Sequence, residues 1–201
     1  TGTENDPALN LAFDYLGYLG SESLTAEQIA SKMYGIACSF SMQAGPTSCR
    51  ISITGLGENM AEAMEIVEGL LNRPKPDEAI LANLKADLNQ SRCFGALQTY
   101  MFYGSDFIRR TTLTNPALEA MSSEMLLAKI GELMDKQHKV LYYGPQSEKE
   151  VTEALAMHHK TSAELQPLDK KHLQLLPTDE SKVLMAQYDA KQLYYLQYAN
   201  L

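Results

Sequence analysis

The sequence predicts an α+β domain in which a mixed, largely antiparallel sheet packs against several helices. Three observations support this class. Apolar residues recur at helical spacing in several stretches, two neighbouring stretches alternate with a period of two, and strands and helices do not alternate as in βαβ folds. With 201 residues, 45% of them apolar, the chain is long enough to build a sizeable core.

The charge of the chain argues against one class of partner. Acidic residues outnumber Lys and Arg by 25 to 17, and the basic residues are scattered along the sequence. Nucleic-acid binding needs clustered basic residues, so we expect no nucleic-acid partner. No apolar run is long enough to cross a bilayer, so we also expect no transmembrane segment.

The opening helix is predicted over residues 6–20. Leu9, Phe13 and Leu16 recur at helical spacing and form one apolar face. Asp6 is a favourable cap before the first turn, and Gly20 is a favourable stop.

A second helix and a hairpin follow. Thr25 and Gln28 have the spacing of a capping box, which starts the second helix. Residues 39–43 and 49–54 alternate apolar and polar side chains on either side of a turn at 44–47, a pattern typical of an antiparallel hairpin.

Further helices fill most of the chain up to residue 160. The third is predicted from residue 58 or 59 to 72, with a buried stripe of Met60, Met64, Val67 and Leu71. The remaining predictions are a helix at 77–91 that continues in part toward a bend at Tyr103-Gly104, a helix capped by Ser122 or Ser123, a strand at 138–143 and a helix capped by Ser147.

The domain boundaries are predicted from composition. Residues 1–160 form one domain, 161–181 read as a polar, proline-containing linker, and 182–201 begin a further, truncated domain with strand-like runs at 183–188 and 192–199. The chain starts at Thr1 without a leader and ends in an apolar run, so we expect it to be an excised piece of a longer protein.

Cysteines and histidines give no recognisable metal motif. Cys38, Cys49 and Cys93 lack the close pairing of a structural zinc site, so free thiols are expected, with a Cys38–Cys49 bridge across the hairpin left open. The adjacent His158 and His159 point about 100° apart on a helix and cannot pair with each other. All four histidines are expected to be solvated or capping residues, namely His138, His158, His159 and His172.

Taken in order, these elements resemble one domain of the insulinase/pitrilysin family of zinc metallopeptidases, which includes the mitochondrial processing peptidase. The likeness rests on residues 2–6, 11–20, 23–29, 37–53, 59–76 and 118–145, the last of which closes in Tyr-Tyr-Gly-Pro. It covers residues 1–160 and implies the metallohydrolase fold of that family.

The catalytic motif of the family is degenerate in this chain. Its inverted zinc motif, His-x-x-Glu-His, supplies two zinc ligands and the base that activates water, and a later Glu is the third ligand. The motif falls on residues 11–15, where Leu11 and Tyr15 replace the two His and Asp14 replaces the Glu. Asp87 is the acid nearest the third-ligand position. The resemblance therefore implies no catalytic residue, metal or cofactor here, and we expect Leu11 and Tyr15 to face outward from the helix.

Three functional hypotheses follow from the resemblance. The first is a non-catalytic domain of a zinc protease, which encloses the chamber and helps to bind peptide substrate beside an active half of the same polypeptide. The second is a scaffold or assembly subunit of the same fold without a protease half. The third is an enzyme with an unforeseen site on Asp14, Tyr15 and Asp87.

The resemblance also bears on assembly and compartment. Family domains begin with strands upstream of the zinc helix, and their absence here would leave a sheet edge free for a dimer partner or for the run 183–199. The bacterial periplasm or cell envelope is the expected compartment, with the cytoplasm as the alternative.

Overall fold

The computed structural model describes residues 1–170, 173–185 and 195–199, with the backbone alone described for 89–96. Its α-helices are α1 (Leu9–Tyr18), α2 (Ala26–Gly35), α3 (Met60–Asn72), α4 (Glu78–Thr111), α5 (Asn115–Ala120), α6 (Ser123–Met134) and α7 (Glu148–His158). Its strands are β1 (Cys38–Ala44) and β2 (Cys49–Gly55), and a short 3-10 turn, Gly57–Asn59, precedes α3. The α+β class is thereby confirmed.

Helix α1 lies at the centre of the molecule. It packs against α6, β1 and α4, and it contributes more side chains to the core than its neighbours do. The helix is shorter than the predicted 6–20, and its N-cap is Ala8, which makes no side-chain cap hydrogen bond, so the prediction that Asp6 caps it is wrong. The Asp6 carboxylate instead accepts a hydrogen bond from the Ala8 N–H at 2.9 Å in the turn before the helix. The buried side chains of α1 are Leu9, Leu11, Ala12, Phe13, Tyr15 and Leu16.

The predicted hairpin is present. Strands β1 and β2 pair antiparallel from Cys38↔Gly55 at one end to Ala44↔Cys49 at the other. Cys38 and Cys49 therefore lie at opposite ends of the hairpin as free thiols, which overturns the alternative of a bridge between them. The side chain of Cys93 lies outside the described part of the chain.

Side-chain caps mark the starts of helices α2, α4, α5, α6 and α7. Thr25 and Gln28 form the predicted capping box of α2, with Gln28 N–H donating to Thr25 Oγ1 at 3.2 Å. Ser122 caps α6 by accepting the Met125 N–H at 3.2 Å, which settles the choice between the two serines. Ser147 caps α7 as predicted.

The buried face of α3 differs from the predicted stripe. Val67 and Leu71 are buried, but Met60 and Met64 are only half-buried. The face is rotated toward small and branched residues because Ala63, which is fully buried, lets the helix approach its neighbours closely. The buried residues are Ala63, Ile66, Val67, Leu70 and Leu71.

Helix α4 is longer than predicted and bends where the sequence indicates. It continues to Thr111, and Gly104 interrupts it with a φ of 77° and a ψ of 179°. Only glycine adopts this conformation readily. Leu176 lies against the bend: its N–H donates to the Phe102 carbonyl at 2.9 Å, and its side chain occupies the space that a Cβ at position 104 would need.

The predicted strand at 138–143 is wrong. These residues form no strand ladder with any described part of the chain, and Leu141 and Tyr143 are 92% and 103% exposed. The alternating apolar pattern is present, but a strand also needs a partner for its backbone groups. The neighbouring Lys136 forms an isolated parallel bridge with Gln166.

Part of the predicted linker at 161–181 lies against the helices. Gln166 exchanges backbone hydrogen bonds of 2.8 Å with the end of α6, at Asp135 and Gln137. The described residues of the two C-terminal runs, 183–185 and 195–199, are not in strands, and 186–194 and His172 lie outside the described residues. The domain boundaries themselves stay a prediction.

Two histidines that are far apart in the sequence meet in the fold. His159, at the C-cap of α7, lies with its Nε2 atom 2.8 Å from Nε2 of His138. Its Nδ1 atom is 2.6 Å from Oε1 of Glu68 on α3. This chain of three side chains ties the end of α7 and the preceding loop to α3. No helix in the described residues is both long and apolar enough to cross a membrane.

Replacing Gly104 by Ala should destabilise the protein by about 1 to 2 kcal/mol, because the backbone there has a positive φ and Leu176 fills the Cβ position. The matched control is Gly131→Ala in α6, where a Cβ meets nothing within 4 Å. That change should stabilise by about 0.5 to 1 kcal/mol. Urea unfolding of both variants measures the difference, and equal effects would contradict the proposed strain at the bend.

Replacing His159 by Ala should cost about 1 to 2 kcal/mol, since Glu68 and His138 both lose a hydrogen-bond partner. The adjacent His158 is half-buried on the same helix and serves as the control. His158→Ala should cost clearly less in the same thermal unfolding experiment. A larger effect at His158 would show that the three-residue chain contributes little.

Candidate functional site

The motif positions on α1 divide between its two sides. Leu11 and Tyr15 are 2% and 0% exposed, so the prediction that they face outward is wrong. Asp14 is exposed to solvent. The reason is helical periodicity, because residues 11 and 15 share one face with the core residues of α1 and position 14 lies on another.

The Tyr15 side chain is buried, and its hydroxyl group makes a set of hydrogen bonds. The hydroxyl accepts the Asp77 N–H at 2.7 Å, donates to the Asp77 carbonyl at 3.1 Å and lies 2.7 Å from Oγ of Ser123. A phenol has one proton, so Ser123 donates to Tyr15 when Tyr15 donates to Asp77. Because Asp77 caps α4 and Ser123 begins α6, one side chain of α1 fixes where two other helices start.

These residues do not fit a zinc ion. The Leu11 side chain has no donor atom, and the oxygen of Tyr15 already has three hydrogen-bond partners in the core. Asp87 is exposed on α4, while the side chains of the two residues beyond Leu88 lie outside the described set. Within the part of the chain that the structure describes, no group of three or more His, Cys, Asp and Glu could hold a metal ion.

A shallow groove of about 290 Å³ runs between the outward side of α1 and strand β1. We call it the α1–β1 groove. Asp14 is the charged side chain among its lining residues, and the walls are mostly aromatic or apolar. The groove is lined by Phe13, Asp14, Gly17, Tyr18, Phe40, Ser41 and Met42.

The groove follows the edge of β1 and not a face of the sheet. Phe40, Ser41 and Met42 are consecutive, and consecutive strand residues point to opposite faces, so a surface that touches all three runs along the edge. In the described residues, the sheet has two strands, so β1 pairs only with β2. Its other edge has no strand partner there.

The hairpin register indicates which backbone groups lie on that edge. The Gly45 N–H donates to the Ser48 carbonyl at 2.9 Å, so residues 45 and 48 form a hydrogen-bonded pair. Pairs alternate along an antiparallel ladder, and the register has no bulge between Ala44↔Cys49 and Cys38↔Gly55. The N–H and C=O groups of Phe40 and Met42 therefore point away from β2.

Asp14 is held in the groove at an electrostatic cost. Its carboxylate accepts a hydrogen bond of 3.3 Å from the Asn10 side chain, and no cationic side chain among the described residues forms a salt bridge with it. Desolvation by the surrounding groove raises the pKa of Asp14 above its ordinary value of 3.8, although part of the residue stays in contact with solvent.

Sequence reasoning found Asp14 but missed its surroundings. The contribution of β1 could not be read from spacing, because Asp14 and Met42 are joined only by the packing of the hairpin on α1. The alternation at 39–43 and 49–54 predicted the hairpin that contains β1, and this was the signal that the sequence offered. Asp87, the third residue of the alternative enzyme hypothesis, is not among the residues that line the groove.

Comparison with known proteins gives structural matches alone. No protein-family model and no curated protein sequence matches this chain. The ferredoxin protease FusC, solved as a mutant in complex with Arabidopsis ferredoxin, aligns with a TM-score of 0.68 and 16% identity over 87% of this chain and 20% of FusC. A protease from Helicobacter pylori aligns with a TM-score of 0.64 and 12% identity, covering 89% of this chain and 47% of that one.

An inactive domain has the same architecture. The peptidase M16 inactive domain from Pseudomonas fluorescens aligns with a TM-score of 0.51 and 17% identity, over 64% of this chain and 35% of that chain. The chain therefore has the fold of M16 peptidase domains, the insulinase-like fold. It spans less than half the length of each of these three chains.

Replacing Tyr15 by Phe should destabilise the protein by about 1 to 3 kcal/mol, because the part-buried Asp77 N–H and the buried Ser123 hydroxyl lose their partner. Tyr18→Phe on the same helix is the control, since Tyr18 is 60% exposed. It should change stability by less than about 0.5 kcal/mol. Denaturant unfolding separates the two, and an unchanged midpoint for Tyr15→Phe would refute the structural role of the hydroxyl.

Replacing Asp14 by Asn should stabilise the protein increasingly as the pH rises. The raised pKa means that the folded state binds the Asp14 proton more tightly than the unfolded chain does. The contribution of Asp14 to stability is thus fully present below pH 3.8, the ordinary pKa of the carboxyl group. It is lost as the pH rises through the higher pKa of Asp14 in the folded protein.

The measurement is urea unfolding of wild type and Asp14→Asn at several pH values between about 3 and about 7. Glu65→Gln, which removes one carboxylate from the exposed side of α3, controls for the change in net charge. A stability difference between wild type and Asp14→Asn that shrinks with rising pH would contradict the expected direction.

Proposed function

We propose that this chain is a non-catalytic domain of an insulinase-type zinc protease. In this role it encloses the substrate chamber and helps to bind peptide beside an active half of the same polypeptide. The M16 peptidase fold supports this function. So does the identity of the motif residues, since Leu11 and Tyr15 belong to the core and cannot ligate zinc. The protein itself contributes no cofactor in this proposal.

The observation that carries the proposal is the free edge of β1 along the α1–β1 groove. An extended peptide adds to such an edge by pairing its backbone with outward-facing N–H and C=O groups, here those of Phe40 and Met42. Successive side chains of the peptide would then point alternately toward α1 and away from it. Binding of this kind depends mainly on backbone geometry, which suits a domain that handles many peptide sequences.

A scaffold or assembly subunit of the same fold is the second candidate. One observation favours it: the run from Val140 to Tyr143 exposes four apolar or aromatic side chains in succession, as a protein interface does before its partner binds. The two functions differ in whether the same polypeptide also contains a His-x-x-Glu-His half. A second copy of this chain could also pair with the β1 edge, and this would give a dimer.

The peptide-binding role is tested on the β1 edge. A fluorescein-labelled peptide of sequence Ser-Thr-Val-Thr-Lys-Thr-Val-Thr-Ser should bind the wild-type chain in a fluorescence anisotropy titration. Met42→Pro should weaken binding about tenfold or more, because it removes an outward-facing N–H. The inner ladder to β2 stays intact, since the hydrogen-bonded pairs are at the neighbouring positions.

Met42→Ala is the matched control, since it shortens the same side chain but keeps the N–H. It should weaken binding less than Met42→Pro does. Equal loss in both variants would mean that the side chain, and not the backbone edge, binds the peptide. Sedimentation of the unliganded chain checks the dimer, because a dimer that uses this edge would dissociate when Met42 becomes Pro.

A further inference from the structure

Asp14 is the charged side chain among the residues that line the α1–β1 groove. Phe13, Tyr18, Phe40 and Met42 surround the space, and Ser41 adds a hydroxyl. The carboxylate has no salt-bridge partner among the described residues, and its one hydrogen bond there is the 3.3 Å contact with the Asn10 amide. A carboxylate in such a position has unused capacity to accept charge-assisted hydrogen bonds.

The peptide geometry brings a side chain to this carboxylate. A strand added at Phe40 and Met42 directs every second side chain into the space between β1 and α1, where Asp14 lies. We propose that the α1–β1 groove selects extended peptides that carry a Lys or Arg at the position facing Asp14, with apolar residues two positions away on either side. This inference rests on the proposed peptide-binding function and specifies its substrate class.

Both the aliphatic stem and the charged head group of a Lys or Arg side chain suit the groove. Their aliphatic stems can lie on the Phe40 and Met42 side chains, while the charged head reaches the carboxylate. Tyr18 and the half-buried Phe40 add aromatic surface to the groove, and aromatic rings favour a nearby cation. An acidic side chain in the same place would meet the like charge of Asp14 without any compensating basic residue among those that line the groove.

The energetics of Asp14 agree with a cationic ligand. Desolvation disfavours its charged form, as its raised pKa indicates. A bound ammonium or guanidinium group would offset that cost at the moment of binding. Natural proteins often keep such locally unfavourable groups at binding sites, where the partner and not the fold supplies the compensation.

The test uses three peptides that differ only at the centre. The sequence Ser-Thr-Val-Thr-X-Thr-Val-Thr-Ser, in which X and the two Val residues share one face of the strand, is prepared with X as Lys, Gln or Glu and titrated by anisotropy against wild type, Asp14→Asn and Glu65→Gln. Wild type should bind the Lys peptide about five- to tenfold more tightly than the Gln peptide, and the Glu peptide most weakly. The preference for Lys should disappear in Asp14→Asn and persist in Glu65→Gln, which loses the same charge outside the groove.

The outcomes separate this inference from the function on which it rests. Equal affinity of wild type for all three peptides, with binding still weakened by Met42→Pro, would overturn the selectivity and leave peptide binding intact. A preference for Lys that persists in Asp14→Asn would show that another group recognises the cation and would overturn the role of Asp14. Absence of binding by all three peptides at millimolar concentration would overturn both proposals.

Discussion

The arrangement of the helices depends on the buried hydroxyl group of Tyr15. It joins α1 to the first residues of α4 and α6 through Asp77 and Ser123, and each of these helices packs on α1. Such a network stabilises the fold because every polar group in it has a hydrogen-bond partner. A buried polar group without a partner would instead carry its desolvation penalty uncompensated. Most of the other buried side chains among the described residues are apolar, and their contacts carry less directional information.

The two sides of α1 consequently have different roles. Its inner side, with Leu11 and Tyr15, orders the core, and the outer side, with Asp14, forms a wall of the α1–β1 groove. Core packing constrains the inner residues to fixed shapes, while the outer residues are free of that constraint. A catalytic motif at i and i+4 would have to place polar ligands on the side that this protein uses for its core.

Local signals predicted most of the fold, and contacts between distant residues explain what they missed. The capping box of Thr25, the hairpin register and the bend at Gly104 are encoded within a few residues, so the sequence indicates them directly. The strand at 138–143 was mispredicted because alternation describes a surface and cannot supply a partner. The groove and the contact of His138 with His159 depend on how separate elements pack, which no local pattern contains.

The run from Val140 to Tyr143 has a consequence for handling the protein. Four consecutive apolar or aromatic side chains are exposed to solvent, and Leu141 and Tyr143 are almost completely uncovered. Segments of this kind, with little charge and no proline, are the ones that nucleate cross-β aggregates when copies meet. The isolated chain should therefore have a concentration threshold above which it precipitates, and a lysine introduced at Leu141 should raise that threshold.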